Sequence, residues 1–260
     1  MAKTYQQNTF HFWGRLNRFL PKPRRYRTFR HTVRGLPSIK DTIQAIGVPH
    51  TEVDCILVDG KSVSFSCQTK GFQTIHVYPD ASRIKTKNIL RLKPKPLKHP
   101  RFICDAHLGK LVRHLRLLGL DCHYDKSLSD RDIVQTGAKE KRIILTRDIG
   151  LLKHKLVQRG YFVRAIDPDK QLKEILREFA MHAWLKRLKP FSRCLECNGK
   201  IVKAAKAKVM SQLPKLTKQY YHDFYLCKSC GKIYWKGAHH KKLAAIVKNF
   251  QRTSYLIPRQ

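Results

Sequence analysis

The sequence predicts three units in series: a small α+β domain, an α/β domain with a parallel sheet, and a compact module closed by cysteines. Three observations carry this reading. A proline-rich run at residues 92–100 separates two different hydrophobic patterns. The pattern after it alternates strand and helix. Two Cys-x-x-Cys pairs then fall within one stretch of the last third. At 260 residues the chain is long enough for more than one core.

The first unit, residues 1–91, is built element by element. Thr9 to Trp13 alternates, and Tyr26 to Val33 is strand-like. Ser38 caps a short helix with Ile39, Ile43 and Ile46 on one face. Cys55 to Val63 is a hairpin with Asp59-Gly60 at its turn, and Ile75 and Val77 alternate in a last strand. Strand, strand, helix, hairpin, strand resembles the ubiquitin-like β-grasp, in particular its sulfur-carrier type. Sulfur carriers end in a free Gly-Gly tail. Here the last strand runs on into Tyr78-Pro79-Asp80, so a binding or docking role, with a protein partner, is expected instead.

In the run Leu92 to Pro100, Pro94, Pro96 and Pro100 exclude a helix interior or a central strand, which predicts an extended, fairly stiff linker. From 101 to 190 the units repeat. Arg101 to Cys104 is a strand. Leu108, Leu111, Val112, Leu115 and Leu118 follow at helical spacing, and Gly119 stops the helix. Cys122 to Tyr124 is a strand, and Ser129 caps the helix that begins at Asp130. Arg142 to Thr146 is a buried strand, Leu151 to Gln158 a helix stopped by Gly160, and Tyr161 to Ile166 a fourth strand. Pro168 opens a long helix through Trp184 with Leu172, Ile175, Leu176 and Phe179 on one face. Alternating units of this kind make a mainly parallel sheet covered by helices.

Ligands of such sheets bind at the carboxyl ends of the strands. Asp105, Asp125, Asp148 and Asp167 follow the four strands, and Asp130 opens the helix after the second. Packed carboxylates repel unless cations neutralise them. An all-oxygen donor set suits Mg²⁺ or Mn²⁺, ions that serve phosphodiester cleavage. Lys110 and Arg113, one helical turn apart, could hold phosphates, and so could Arg147. The competing reading of each single Asp is a helix cap.

Charge agrees with a polyanionic partner. The chain carries 54 Lys and Arg against 18 Asp and Glu, a net +36. Residues 1–98 hold net +14, 99–185 net +6 and 186–260 net +16, so the acids concentrate in the middle. No apolar run approaches the roughly 20 residues of a membrane span. Met1 to Phe10 is polar and lacks a signal-peptide core. A cytoplasmic protein is expected, whose eight cysteines serve as ligands, core residues or catalysts and not as disulfides.

Cys194-x-x-Cys197 and Cys227-x-x-Cys230, 29 residues apart, have the spacing of a zinc site. Four thiolates leave no open position, so the zinc is structural. A redox Cys-x-x-Cys would not explain two pairs. The spacer between them is lysine-rich, either to track a phosphate backbone or as a solvated face. Tyr220, Tyr221, Phe224, Tyr225, Tyr234 and Trp235 lie among lysines, where most serve a small core. Cys55, Cys67, Cys104 and Cys122 lack ligand spacing and read as core.

The segments Phe102-Ile103-Cys104-Asp105, Leu108-Gly109-Lys110-Leu111-Val112-Arg113-His114-Leu115-Arg116-Leu117-Leu118-Gly119, Ser129-Asp130 and Leu145-Thr146-Arg147-Asp148 resemble the motifs of the mutator-seven C-terminal ribonuclease family. So do Pro190 to Gly199 and Ile233 to His239. The resemblance covers about 140 residues. It implies a PIN-like nuclease domain (101–190), a zinc ribbon (191–240) and a basic tail (241–260). Family members often carry an N-terminal ubiquitin-like domain. Asp105, Asp130 and Asp148 are then the metal-binding acids, with Asp167 and Asp125 as further candidates. His107 and His114 stand where the family usually has a small or apolar residue, and Val112 where Ala is usual. The function so implied is a metal-dependent ribonuclease acting on RNA, with tRNA and rRNA as candidate substrates. The alternative is a non-catalytic RNA-binding or RNA-processing accessory protein with structural zinc.

Overall fold

The computed structural model describes residues 5–84, 88–179, 181 and 188–253. The chain forms two compact units, residues 1–95 with 134–162 and residues 96–133 with 163–260.

In the first unit, β1 (Tyr5–Phe12), β2 (Phe29–Arg34), α1 (Ile39–Ile46), β3 (Cys55–Val58), β4 (Lys61–Ser62) and β5 (Thr74–Tyr78) follow in order. The strands make one sheet, β2-β1-β5-β3-β4. β1 is antiparallel to β2 and parallel to β5, which is the β-grasp arrangement. Alternation sends Phe10 and Phe12 inward, where Ile39, Ile43 and Ile46 of α1 meet them with Ile56, Ile75 and Val77. Ser38 caps α1 as expected, accepting from the Asp41 amide. Asp59 and Gly60 take φ +48° and +79°, the left-handed pair that a two-residue hairpin needs. On the opposite face, Cys55 and Leu57 are covered by Ala81 together with Tyr78, Ile84 and Ile89. The start of the proline-rich run is tied to this unit, because Leu92 packs on its core and donates from its amide to the Asp54 carbonyl at 2.8 Å.

The same unit contains β8 (Ile143–Thr146), α4 (Ile149–Lys153) and β9 (Gly160–Phe162), with β8 and β9 parallel. They join the β-grasp through the turn before β3. Glu52, fully buried, accepts from the Phe162 amide at 2.8 Å and pairs with Arg15 Nε at 3.3 Å. His50 Nε2 lies 2.8 Å from the Val157 carbonyl, and the Phe19 and Phe162 rings meet edge to face. A carboxylate so placed gives the Phe162 amide of β9 an acceptor.

The second unit holds β6 (Phe102–Cys104), α2 (Gly109–Leu117), β7 (Cys122–His123) and α5 (Pro168–Glu178), while α3 is Asp130–Lys139. β6 and β7 are parallel, with Phe102 opposite Cys122. α2 buries Leu111, Val112 and Leu115, and α5 buries Leu172, Ile175 and Leu176. An antiparallel sheet of β10 (Ile201–Ala204), β11 (Phe224–Cys227) and β12 (Ile233–Trp235) precedes the C-terminal helix Ala238–Thr253.

Three elements differ from expectation. α4 is only Ile149–Lys153, because His154 turns extended and receives the Leu156 amide on its ring. Gly160 lies in β9 instead of ending a helix. A Cβ there would stand 2.5 Å from Leu152 Cδ2, so the glycine allows close helix–strand packing. The fourth strand ends at Phe162, since the Arg164 and Ala165 amides donate to the Glu174 carboxylate of α5. α5 itself ends at Glu178, and residues 180 and 182–184 of the helix expected through Trp184 lie outside the described residues.

Candidate functional site

The four ribbon cysteines converge. Their sulfur atoms all lie within 4.8 Å of one another. The closest approaches join the two pairs, at 3.6 Å for Cys194–Cys230 and 3.4 Å for Cys197–Cys227. Tetrahedral zinc with Zn–S bonds of about 2.3 Å puts sulfurs about 3.8 Å apart, so this cluster is consistent with zinc. The two knuckles are built alike. The Asn198 amide donates to the Cys194 carbonyl and the Gly231 amide to the Cys227 carbonyl, with φ +68° at Asn198 and +73° at Gly231. Gly199 is required, because a Cβ would stand 2.7 Å from Cys227 Sγ. Burial alone would raise the Cys194 thiol, but the Tyr234 hydroxyl at 3.0 Å and the Cys197 and Glu196 amides bring it down to about 7. Burial, reinforced by the neighbouring thiols and opposed by the Gly199 amide, raises Cys197 to about 12.

The first knuckle is bolted to the α/β layer. Arg116 of α2 is buried, and its Nε donates to the Cys122 carbonyl of β7. Its Nη1 donates to the carbonyls of Leu195 at 3.0 Å and Glu196 at 2.6 Å. The Asn198 side chain donates to Asp121 and accepts the Cys122 amide, and Arg193 also pairs with Asp121. The ribbon core is Val209, Leu213 and Phe224, flanked by Tyr221 and Trp235, while Tyr220 is exposed.

Each acid that follows a strand sits at a turn. Asp105 is buried and accepts the His107 amide on Oδ1. Asp125 accepts the Ser127 amide and hydroxyl, which lower its carboxyl below the usual range. Asp148 caps α4 by accepting the Gly150 amide, and Asp167 caps α5 by accepting the Lys170 amide. Asp130 is different. The cap of α3 is made reciprocally by Ser129 and Asp132, which leaves capping to its neighbours. Asp105 and Asp130 belong to the second unit and Asp148 to the first. Among the described residues, the cysteines are the group of three or more ligating side chains drawn within 4.8 Å, and no acid is part of it.

Lys110 and Arg113 are both exposed on α2, and Arg113 makes a long 4.0 Å pair with Glu196, which also holds Lys232 at 3.0 Å. His107 is exposed. His114 faces Asp169 at 3.5 Å and the Phe250 ring of the C-terminal helix. Arg147 is exposed.

Residues 100–247 match the model of the Mut7-C RNAse domain, and residues 6–85 match that of the Mut7-C ubiquitin domain. The chain belongs to the Mut7-C RNAse family. Comparison with curated proteins and with solved structures finds no match. The two Mut7-C domains stand in the order that the β-grasp pattern and the acidic motifs imply. No described helix is long and apolar enough to cross a membrane.

Sequence reasoning missed the residues that hold the Mut7-C ribbon in place. Arg116 lies inside the family motif, but as one basic residue among several it carries no signal of burial. Asn198 was legible as a turn residue only. Tyr124 was also missed. Its hydroxyl donates to the Ala106 carbonyl at 3.1 Å, and a Cβ on Gly109 would stand 2.9 Å from it, so this tyrosine packs against the turn that carries Asp105.

Proposed function

We propose that the protein is a metal-dependent ribonuclease in which Asp105, Asp130 and Asp148 hold one or two Mg²⁺ or Mn²⁺ ions. The observation that carries this is membership of the Mut7-C RNAse family with all three motif acids present. The donors fit such an ion, being oxygens only. The caps made by Asp105 and Asp148 use Oδ1, and a carboxylate has further acceptor sites, so capping and ligation are compatible. The ion, when bound, supplies a water nucleophile at neutral pH and neutralises charge on the leaving oxygen. Lys110 and Arg113 bind the phosphates beside the scissile bond, with Asp167 at the margin of the site. The products are a 5′-phosphate and a 3′-hydroxyl. The net +36 gathers RNA, with tRNA and rRNA as the substrates to test first, in the cytoplasm.

A second reading, a non-catalytic RNA-binding accessory protein, draws on the cap bonds themselves, since they give Asp105, Asp148 and Asp167 a structural use. Cleavage of structured and single-stranded RNA with added Mn²⁺ separates the two. Asp148→Asn is the informative variant, because Asn caps a helix as well as Asp does. A fall of at least ~100-fold in cleavage, with unfolding unchanged, supports the enzyme. Binding without cleavage, unaltered by the substitution, supports the accessory protein.

A further inference from the structure

The β-grasp sheet has an outer face that the fold leaves half open. Register places Tyr5, Gln7, Thr9 and His11 of β1 on it, beside Arg34, Thr32 and Arg30 of β2 and His76 of β5. Ala81 and Ile84 cover the β3 end, but Thr28, Arg30, Thr32, Arg34 and Thr74 are exposed. Four rings make one continuous surface there. Trp13 lies 4.4 Å from His11 and 5.5 Å from Tyr78, and its plane is within 5° of the tyrosine's. His76 joins them, 5.8 Å from His11.

Three of the rings are bonded within the protein. Trp13 Nε1 donates to His76 Nδ1 at 3.2 Å, and His11 Nδ1 meets the Thr28 hydroxyl at 3.1 Å. Burial, with His76 alongside, lowers His11 below its ordinary value, which favours an uncharged ring at neutral pH. Trp13 is still 42% exposed, and these bonds hold Trp13, His76 and His11 before any ligand arrives. The rim is cationic. Arg30 and Arg34 stand on the face. Asp59 and Asp80, at the ends of the neighbouring strands, use their carboxylates to accept the Thr74 and Ser82 amides. Aromatic rings on an open sheet, bordered by arginines, suit unpaired bases that stack while their phosphates meet the cations. A duplex hides its base faces and would meet only the arginines.

We propose that this face, Trp13 with His11, His76 and Tyr78 bordered by Arg30 and Arg34, is a stacking platform for single-stranded RNA. It is separate from the proposed acidic site and goes beyond cleavage.

The test is binding of a fluorescein-labelled single-stranded RNA octamer to the full chain, read by anisotropy with no divalent cation added. A blunt duplex of the same length runs in parallel. Trp13→Ala is expected to weaken octamer binding on the order of tenfold and to spare the duplex. Trp13→Phe, which keeps a ring, is expected to recover most of the loss. Arg30→Gln with Arg34→Gln, at two exposed positions, is expected to flatten the salt dependence of octamer binding. If Trp13→Ala does not fold, the arginine variant decides. Octamer affinity and salt dependence unchanged in the variants would overturn the proposal and leave the face to a protein partner. Equal weakening of octamer and duplex would overturn it as well. Cleavage does not enter the readout, so the ribonuclease reading can fail while the platform stands, and the reverse.

Discussion

Arg116 illustrates how single side chains tie this molecule together. Its guanidinium is buried and serves three carbonyls, one in β7 and two in the first knuckle. Arg116→Met keeps most of the packing but strands those acceptors, at about 1–3 kcal/mol for each one left unsatisfied. Urea unfolding should therefore show a loss of about 3 kcal/mol or more, and a loss under 1 kcal/mol would contradict the role given to it. His50 makes a prediction in pH. Burial, with Lys40 nearby, lowers it from 6.5 to about 4, against the opposing bond to Val157. Nε2 lies 2.8 Å from the Val157 carbonyl and Nδ1 lies 2.6 Å from Gln44 Oε1. The unfolded chain takes up the proton first, so stability is lost as pH falls from 6.5 toward 4. The loss is about 2 kcal/mol at pH 5. His50→Gln should reduce that part of the pH dependence. An identical dependence in both proteins would exclude it.

At the scale of elements, the sequence was most readable where local chemistry decides. Ser38, Ser129 and Pro168 mark helix starts, and Asp59-Gly60 marks a hairpin, because each acts on its own backbone neighbours. The cysteine spacing was readable for the same reason, since two short knuckles are each complete in sequence. What was not readable depends on partners far along the chain. The length of the fourth strand is set by Glu174, and the place of Gly160 by Leu152. The ribbon brings its own prediction. Because Leu195, Glu196 and Asn198 are bonded to α2, β7 and Asp121, removing the metal should loosen the end of α2 as well as the ribbon. Hydrogen exchange after zinc chelation is expected to show faster exchange in 114–123 along with 194–231. Faster exchange confined to the ribbon would contradict the coupling.

For the whole molecule, the family and the order of its domains were legible from motifs, but the grouping of 134–162 with residues 1–95 was not. That grouping rests on Glu52, His50 and Phe19, none of which belongs to a motif. It predicts that the β-grasp is not a freely tethered module. With a protease site introduced at 96–100 and cut, the two pieces should still elute together at neutral pH. Glu52→Ala, which removes the acceptor of the Phe162 amide, should promote their separation. Pieces that part at once in the parent sequence would contradict the account. The acids remain the deepest case of partial legibility, for their positions after strands and at a helix start can be read from sequence, whereas a shared ion depends on approach in space.

The most direct measurement is therefore anomalous diffraction from crystals of the full chain soaked in Mn²⁺. A manganese peak contacted by carboxylate oxygens of Asp105, Asp130 and Asp148, and lost in Asp148→Asn, is the expected result. A peak elsewhere, or none at these three residues under conditions where RNA is cleaved, would contradict it.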